Sequence, residues 1–158
     1  MKDENKVVAE LYARLWPWLD HAKPARLMFD DGGKGAVAHP DMCVHFDGSN
    51  KSLRMEFKIV NCDGSNKHCI EPSVKQLLTW ADETSELRPH LWIAKLEDSE
   101  KYFIWTHEDF AAAFMKRSAA NTTRRAVAVP AEILKNPLSF TKLFLAVMQY
   151  AVANGFVG

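Results

Sequence analysis

Residues 40–60, PDMCVHFDGSNKSLRMEFKIV, constrain this chain more than any other stretch, because they read as two extended segments joined by a turn. In Met42–Phe46 and Leu53–Val60, apolar residues alternate with more polar ones, the pattern of a pleated strand whose two faces differ. The linking Asp47-Gly48-Ser49-Asn50-Lys51 suits a reversal, since glycine and asparagine tolerate the positive φ of tight turns. With the turn centred on Ser49 and Asn50, Asp41 is expected opposite Lys58, and Cys43 opposite Glu56. Side chains alternate along a strand, so Asp41, Glu56 and Lys58 are expected to share one face of the sheet. The same DGSNK returns at 63–67 with nothing repeated around it, and reads as a turn used twice.

The flanking sequence supplies helices for this hairpin to pack against. Val7, Val8, Leu11, Leu15, Trp18 and Leu19 recur at helical spacing, giving an amphipathic helix over about 3–20 that Pro17 is expected to kink or end early. ARLMF and GAVAH read as extended, on either side of a turn at Asp30–Gly33. A second helix is expected over Glu71–Leu87, with Pro72 in its first turn. HLWIAKL and KYFIWT form a strand pair, HEDFAAAFMKRS a short helix, and RRAVAV a further strand. The last helix, Ser139 to about Ala153, is apolar around most of its circumference, which places it in the core or under a second copy in a homodimer. The expectation is one α/β domain over 1–158, a mixed central sheet flanked by helices, with a core over about 3–106 and a C-terminal helical extension over 107–158.

Two carboxylates brought onto one strand face repel each other unless a proton or a cation lies between them. Hard oxygen ligands in an incomplete shell suit Mg²⁺ or Mn²⁺, and an adjacent amine can orient a water or stabilise developing negative charge. Asp41, Glu56 and Lys58 therefore carry the parts that metal-assisted phosphodiester hydrolysis requires.

Pro40-Asp41, a gap of fourteen residues, then Glu56-Phe57-Lys58 resembles the PD-(D/E)XK signature of the restriction-endonuclease-like nuclease superfamily. The resemblance covers roughly residues 3–96 and implies an αβββαβ core. It implies that Asp41 and Glu56 bind the divalent metal, that the Phe57 carbonyl completes its shell, and that Lys58 serves the attacking water. An acid on the first helix is common in resolvase-like members, and Glu10 is its candidate here; Glu4-Asn5-Lys6 also matches E-x-K and is set aside as chance. Gln76-Leu77-Leu78-Thr79-Trp80 is similar to a Gln-x-x-x-Tyr pattern of some branches, which makes Gln76 a second supporting candidate and leaves Trp80 as core. The activity implied by the resemblance is DNA cleavage, most simply by an endonuclease. The alternative is a nuclease-like fold kept as a nucleic-acid- or protein-binding regulatory module without turnover.

Other features narrow the field. Twenty basic and twenty acidic residues leave no net charge, so nucleic acid would be held by a local rim rather than by bulk charge. Lys34, Lys51, Arg54, Lys67, His68 and Lys75 flank the proposed centre and could track phosphates. His39, Cys43 and His45 lack zinc-site spacing, and Cys62, His68 and Cys69 fall in what reads as a loop. An odd number of cysteines and no recognisable signal peptide suggest a reduced, cytoplasmic protein, and the apolar run Leu143–Met148 is far too short to cross a membrane.

Overall fold

The computed structural model describes residues 4–29, 40–62, 68–71, 80, 87–115 and 127–157. Helix α1 spans Glu4–Ala22 and buries Val7, Val8, Leu11, Leu15 and Leu19 as one stripe. It does not end early: Pro17 lies inside it, and the helix continues for more than a turn. Pro17 and Ala13, whose carbonyl loses its helical partner, both lie on the exposed side, where water can replace the missing bond.

Among the described residues seven strands follow: β1 (Ala25–Phe29), β2 (Met42–Phe46), β3 (Leu53–Cys62), β4 (His68–Ile70), β5 (Leu91–Leu96), β6 (Tyr102–Thr106) and β7 (Val127–Ala128). They form one mixed sheet, antiparallel except for the β3–β5 pair. Cys62, His68 and Cys69 are not loop residues: Cys62 ends β3 opposite His68, and Cys69 pairs with Asn61 and Ala128. The expected second helix, Gln76, GAVAH and the second DGSNK lie outside the described residues, apart from Trp80 and the helix's two terminal residues.

Long strand β3 organises the sheet. One edge is paired continuously with β5, from Met55↔Leu91 to Val60↔Leu96. The other edge is shared, with β2 on Leu53–Met55 and β4 on Val60–Cys62. Between these arms, residues 56–59 have no ladder partner on that edge among the described residues, so the sheet forks there.

Both faces of the sheet are covered. On one, Met42, Val44, Phe46, Leu53, Met55, Phe57, Ile59, Leu91 and Ile93 pack against α1 and the last helix. On the other, Val60, Trp92, Ala94, Phe103 and Trp105 meet Trp80, Phe110 and Phe114. The alternation in MEFKIV therefore does not mark a half-solvated strand. Glu56 is 2% exposed and Lys58 4%. Helix α2 (His107–Phe110) is capped by the Thr106 hydroxyl, which accepts from the Asp109 N–H, and passes into a π-helical turn at Ala111–Met115. A short helix α3 (Ala131–Leu134) precedes α4 (Phe140–Ala153), whose N-cap is Ser139. Helix α4 buries Phe140, Leu143, Val147 and Ala151 and leaves Leu145 and Val152 exposed. Among the described residues, no helix is long and apolar enough to cross a membrane.

Candidate active site

The fork in the sheet is where the sequence motif meets. The observed hairpin pairs Met42 with Met55, Cys43 with Arg54 and Val44 with Leu53. Continuing that ladder sets Asp41 opposite Glu56 rather than opposite Lys58, and Cys43 opposite Arg54 rather than Glu56, so the expected register is corrected by two residues. The cause lies in the turn. Ser49 N–H closes on the Phe46 carbonyl at 3.1 Å, with Gly48 at φ +83°, one residue earlier than the centre expected from sequence. His45 secures the rest of the loop, its ring nitrogens lying 3.0 Å from Ser52 Oγ and 2.8 Å from the Ser49 carbonyl. Moving a turn centre by one residue moves every partner by two, and a two-residue slip keeps each side chain on its face.

Asp41 sits immediately before β2 and interlocks with β3. Its N–H donates to Glu56 Oε1 at 3.1 Å, and its Oδ2 accepts the Phe57 N–H at 2.8 Å. The carboxylate thus takes the place of a ladder partner where β2 has not yet begun. In an extended strand the N–H and C=O of one residue point to the same edge, so the Phe57 carbonyl opens into the fork beside Asp41.

Glu56 and Lys58 are β3 partners of Trp92 and Ala94 and lie on the aromatic face. Burial, reinforced by the neighbouring Asp41 charge, pushes the Glu56 carboxyl well above its ordinary range; Lys58 offsets only part of this. Lys58 Nζ is 3.4 Å from Glu4 Oε1 and 6.0 Å from the centre of the Trp92 ring. Glu4 is itself raised by burial, against the pull of Lys58, and the charges of Asp41 and Glu71 push the same way. Glu4 thus holds the buried amine, and the charge of Glu56, itself pushed by Asp41, acts on it from the same strand.

Glu4, not Glu10, is the acid of the first helix that reaches this centre. Glu10 lines a groove of about 470 Å³ with Leu11, Ala13, Arg14, Lys95, Glu100 and Tyr102, away from the motif. The sequence carries a signal for this: 4, 8, 11, 15 and 19 form one helical stripe, and 10 falls beside it. Extending the stripe back one turn reaches Glu4. Trp80 is fully buried and meets Trp92 edge to face, with ring centres 5.7 Å apart. Of the expected basic rim, Lys51 lies over the Phe156 ring at 4.5 Å, and Arg54 donates its Nε to the Arg88 carbonyl at 2.7 Å. Lys34, Lys67 and Lys75 lie outside the described residues.

Among the described residues, no three Asp, Glu, His or Cys side chains are gathered closely enough to hold a metal by themselves. The donor set at the fork is smaller: two carboxylates and one strand carbonyl. Its chemistry fits a hard divalent cation, because the mutual repulsion that raises Glu56 is what a dication between Asp41 and Glu56 would relieve. No protein-family model matches the chain, and neither does a curated protein or a solved structure.

Proposed function

We propose that this protein is a divalent-metal-dependent nuclease of the restriction-endonuclease-like kind, hydrolysing DNA phosphodiester bonds at the fork in its sheet. One observation carries the reading: Asp41 and Glu56 are hydrogen-bonded across the fork, with Lys58 buried on the same strand as Glu56. A buried carboxylate and a buried lysine on one strand cost folding free energy, and a hydrophobic strand would form the same sheet without that cost.

Asp41 and Glu56 would hold Mg²⁺ or Mn²⁺ together with the Phe57 carbonyl. When bound, the cation supplies Lewis-acid stabilisation of the phosphate's negative charge. Glu56 must be ionised for this, so its raised proton affinity links cation binding to proton release. Lys58, held at its far end by Glu4, has protons to direct at an attacking water or at a phosphate oxygen as charge develops there. Burial beside Trp92 keeps bulk water from the amine, which strengthens each of these electrostatic contacts.

One observation favours the alternative, a binding module without turnover: both carboxylates already accept backbone N–H groups from the fork itself. Plasmid and single-stranded DNA incubated with Mn²⁺, Mg²⁺ or EDTA separate the two readings. Cleavage that needs the metal and disappears in Glu56→Ala and Lys58→Ala is expected. DNA binding without cleavage under any metal would leave the module.

A further inference from the structure

We infer that the outer face of helix α4 is a homodimer interface, across which two copies of the chain pack antiparallel about a two-fold axis. The interface holds whether or not the fork cleaves nucleic acid.

Helix α4 meets the core with Phe140, Leu143, Val147 and Ala151. A helix whose other side faces only water carries charged and polar residues there. On α4, however, Leu145 is 50% exposed and Val152 62%, with the half-buried Met148 between them. Positions 145, 148 and 152 fall at i, i+3 and i+7, the spacing of a helix-packing seam. Trp18 of α1, 42% exposed, widens the patch, its ring centre lying 4.9 Å from that of Phe140 and 5.3 Å from that of the half-buried Phe144. Trp18, Leu145 and Val152 are the large apolar side chains exposed among the described residues, and all three lie on or against α4. Scattered singly they would need no partner; gathered on one helix they form a contact surface.

The distribution of charge selects a second copy as the occupant. Across its 14 residues α4 carries one charged side chain, Lys142, exposed in its first turn. A charged partner finds no complementary row here, and a membrane-surface helix would carry more cations along its polar flanks. The face complements itself instead. Setting Leu145 against Val152 of the second copy places the two-fold axis between residues 148 and 149, with Met148 and Gln149 of both copies at the centre. The two Lys142 then stand at opposite ends, roughly 20 Å apart along the helices and beyond the screening length of about 8–10 Å. A parallel pair would bring them together. Phe144 and Met148 lie on one flank of the seam, and the two-fold keeps like flanks on the same side. Trp18 and Phe144 of one copy are thereby laid beside Met148 and Val152 of the other.

Sedimentation equilibrium of the full chain over a range of concentrations should approach twice the mass of a single chain. Leu145→Glu and Val152→Glu alter exposed positions, so each should keep the parent's melting temperature. Each should also raise the dimer dissociation constant about tenfold or more, because it puts two carboxylates into an apolar contact. Cross-linking tests the orientation, with the parent and its own cysteines as the control. On oxidation, a mixture of Leu145→Cys and Val152→Cys should form covalent dimers beyond what either variant forms alone. Equal cross-linking by each variant alone overturns the antiparallel arrangement. A dimer that neither glutamate weakens overturns the interface. So does a parent that stays monomeric, and binding of that monomer to phosphatidylserine vesicles would assign the face to a membrane instead.

Discussion

The protein buries two polar groups on the same sheet face, and they are built on opposite principles. Around Arg54, His90, Trp92 and His107, ring nitrogens accept what the neighbours donate: Trp92 Nε1–H gives to His107 Nδ1 at 3.0 Å, and the Arg54 N–H gives to His90 Nδ1. Both histidines are driven neutral, His107 to about 4 and His90 to about 3, first by burial and then by nearby positive charge. At the fork, by contrast, Glu4 pairs with a buried amine, and Glu56 is held in conflict with the neighbouring Asp41. The two histidines meet the ordinary requirement that buried polar atoms be paired, and they do so as neutral rings. The fork keeps charge where folding disfavours it, and such sites are where chemistry is found.

The largest expected effect would break the histidine side of this contrast. Trp92 stacks on Phe110 with ring centres 4.0 Å apart and is fully buried, so Trp92→Ala should destabilise the fold by about 3–5 kcal/mol in denaturant titration. Loss of stability below about 1 kcal/mol would show that this side is not the structural one. Next in size, Lys58→Ala should lower the rate of metal-dependent cleavage by about 10²–10³ while sparing Mn²⁺ affinity measured by calorimetry. An equal loss of metal binding would remove the proposed division of roles.

A smaller effect has the opposite sign. Glu56→Gln keeps an acceptor for the Asp41 N–H but removes the disfavoured charge, so the melting temperature of the metal-free protein should rise at neutral pH. A melting temperature that falls instead would mean that the carboxylate stabilises the fold.

The pH dependence sharpens the comparison further. The two histidines take up protons more readily when unfolded, so their contribution to stability is lost as pH falls below about 6.5. Glu56 works the other way, because its folded carboxyl holds a proton longer; its burden lightens as pH falls toward 4.5. Melting temperatures taken from about pH 7 to about pH 5 should therefore drop more steeply in Glu56→Gln than in the parent, and parallel curves would count against the raised carboxyl. The smallest effects separate the two acids of α1. Glu4→Gln should slow cleavage modestly by loosening Lys58, and Glu10→Gln, whose side chain faces the other groove, should leave cleavage unchanged.

Much of this arrangement is legible in the chain. Helix α1, strands β2, β3, β5 and β6, and helix α4 follow from local periodicity, which a single segment carries within itself. The shared face of Glu56 and Lys58 follows from strand alternation alone. Strand β4, of three residues, is too short for any period to emerge, while β7, of two, falls inside the RRAVAV segment expected to be extended. The hairpin register differs from the expected one because DGSNK offers two turn centres. The choice between them depends on Gly48, His45 and the Pro24 carbonyl, which accepts the Asp47 N–H.

Local pattern sufficed to set which side chains alternate together, because face and helical stripe are properties of consecutive residues. It singles out Asp41, Glu56 and Lys58 without knowledge of any contact. Burial of Glu56 and Lys58 was decided elsewhere, by helix α1 on one face, the aromatic cluster on the other, and the division of β3's edge between β2 and β4. Those are long-range packing events. They turn an alternating strand into a buried one, bring Glu4 within reach of Lys58, and convert ordinary charges into a strained acidic centre, since desolvation acts only once distant segments have closed over it.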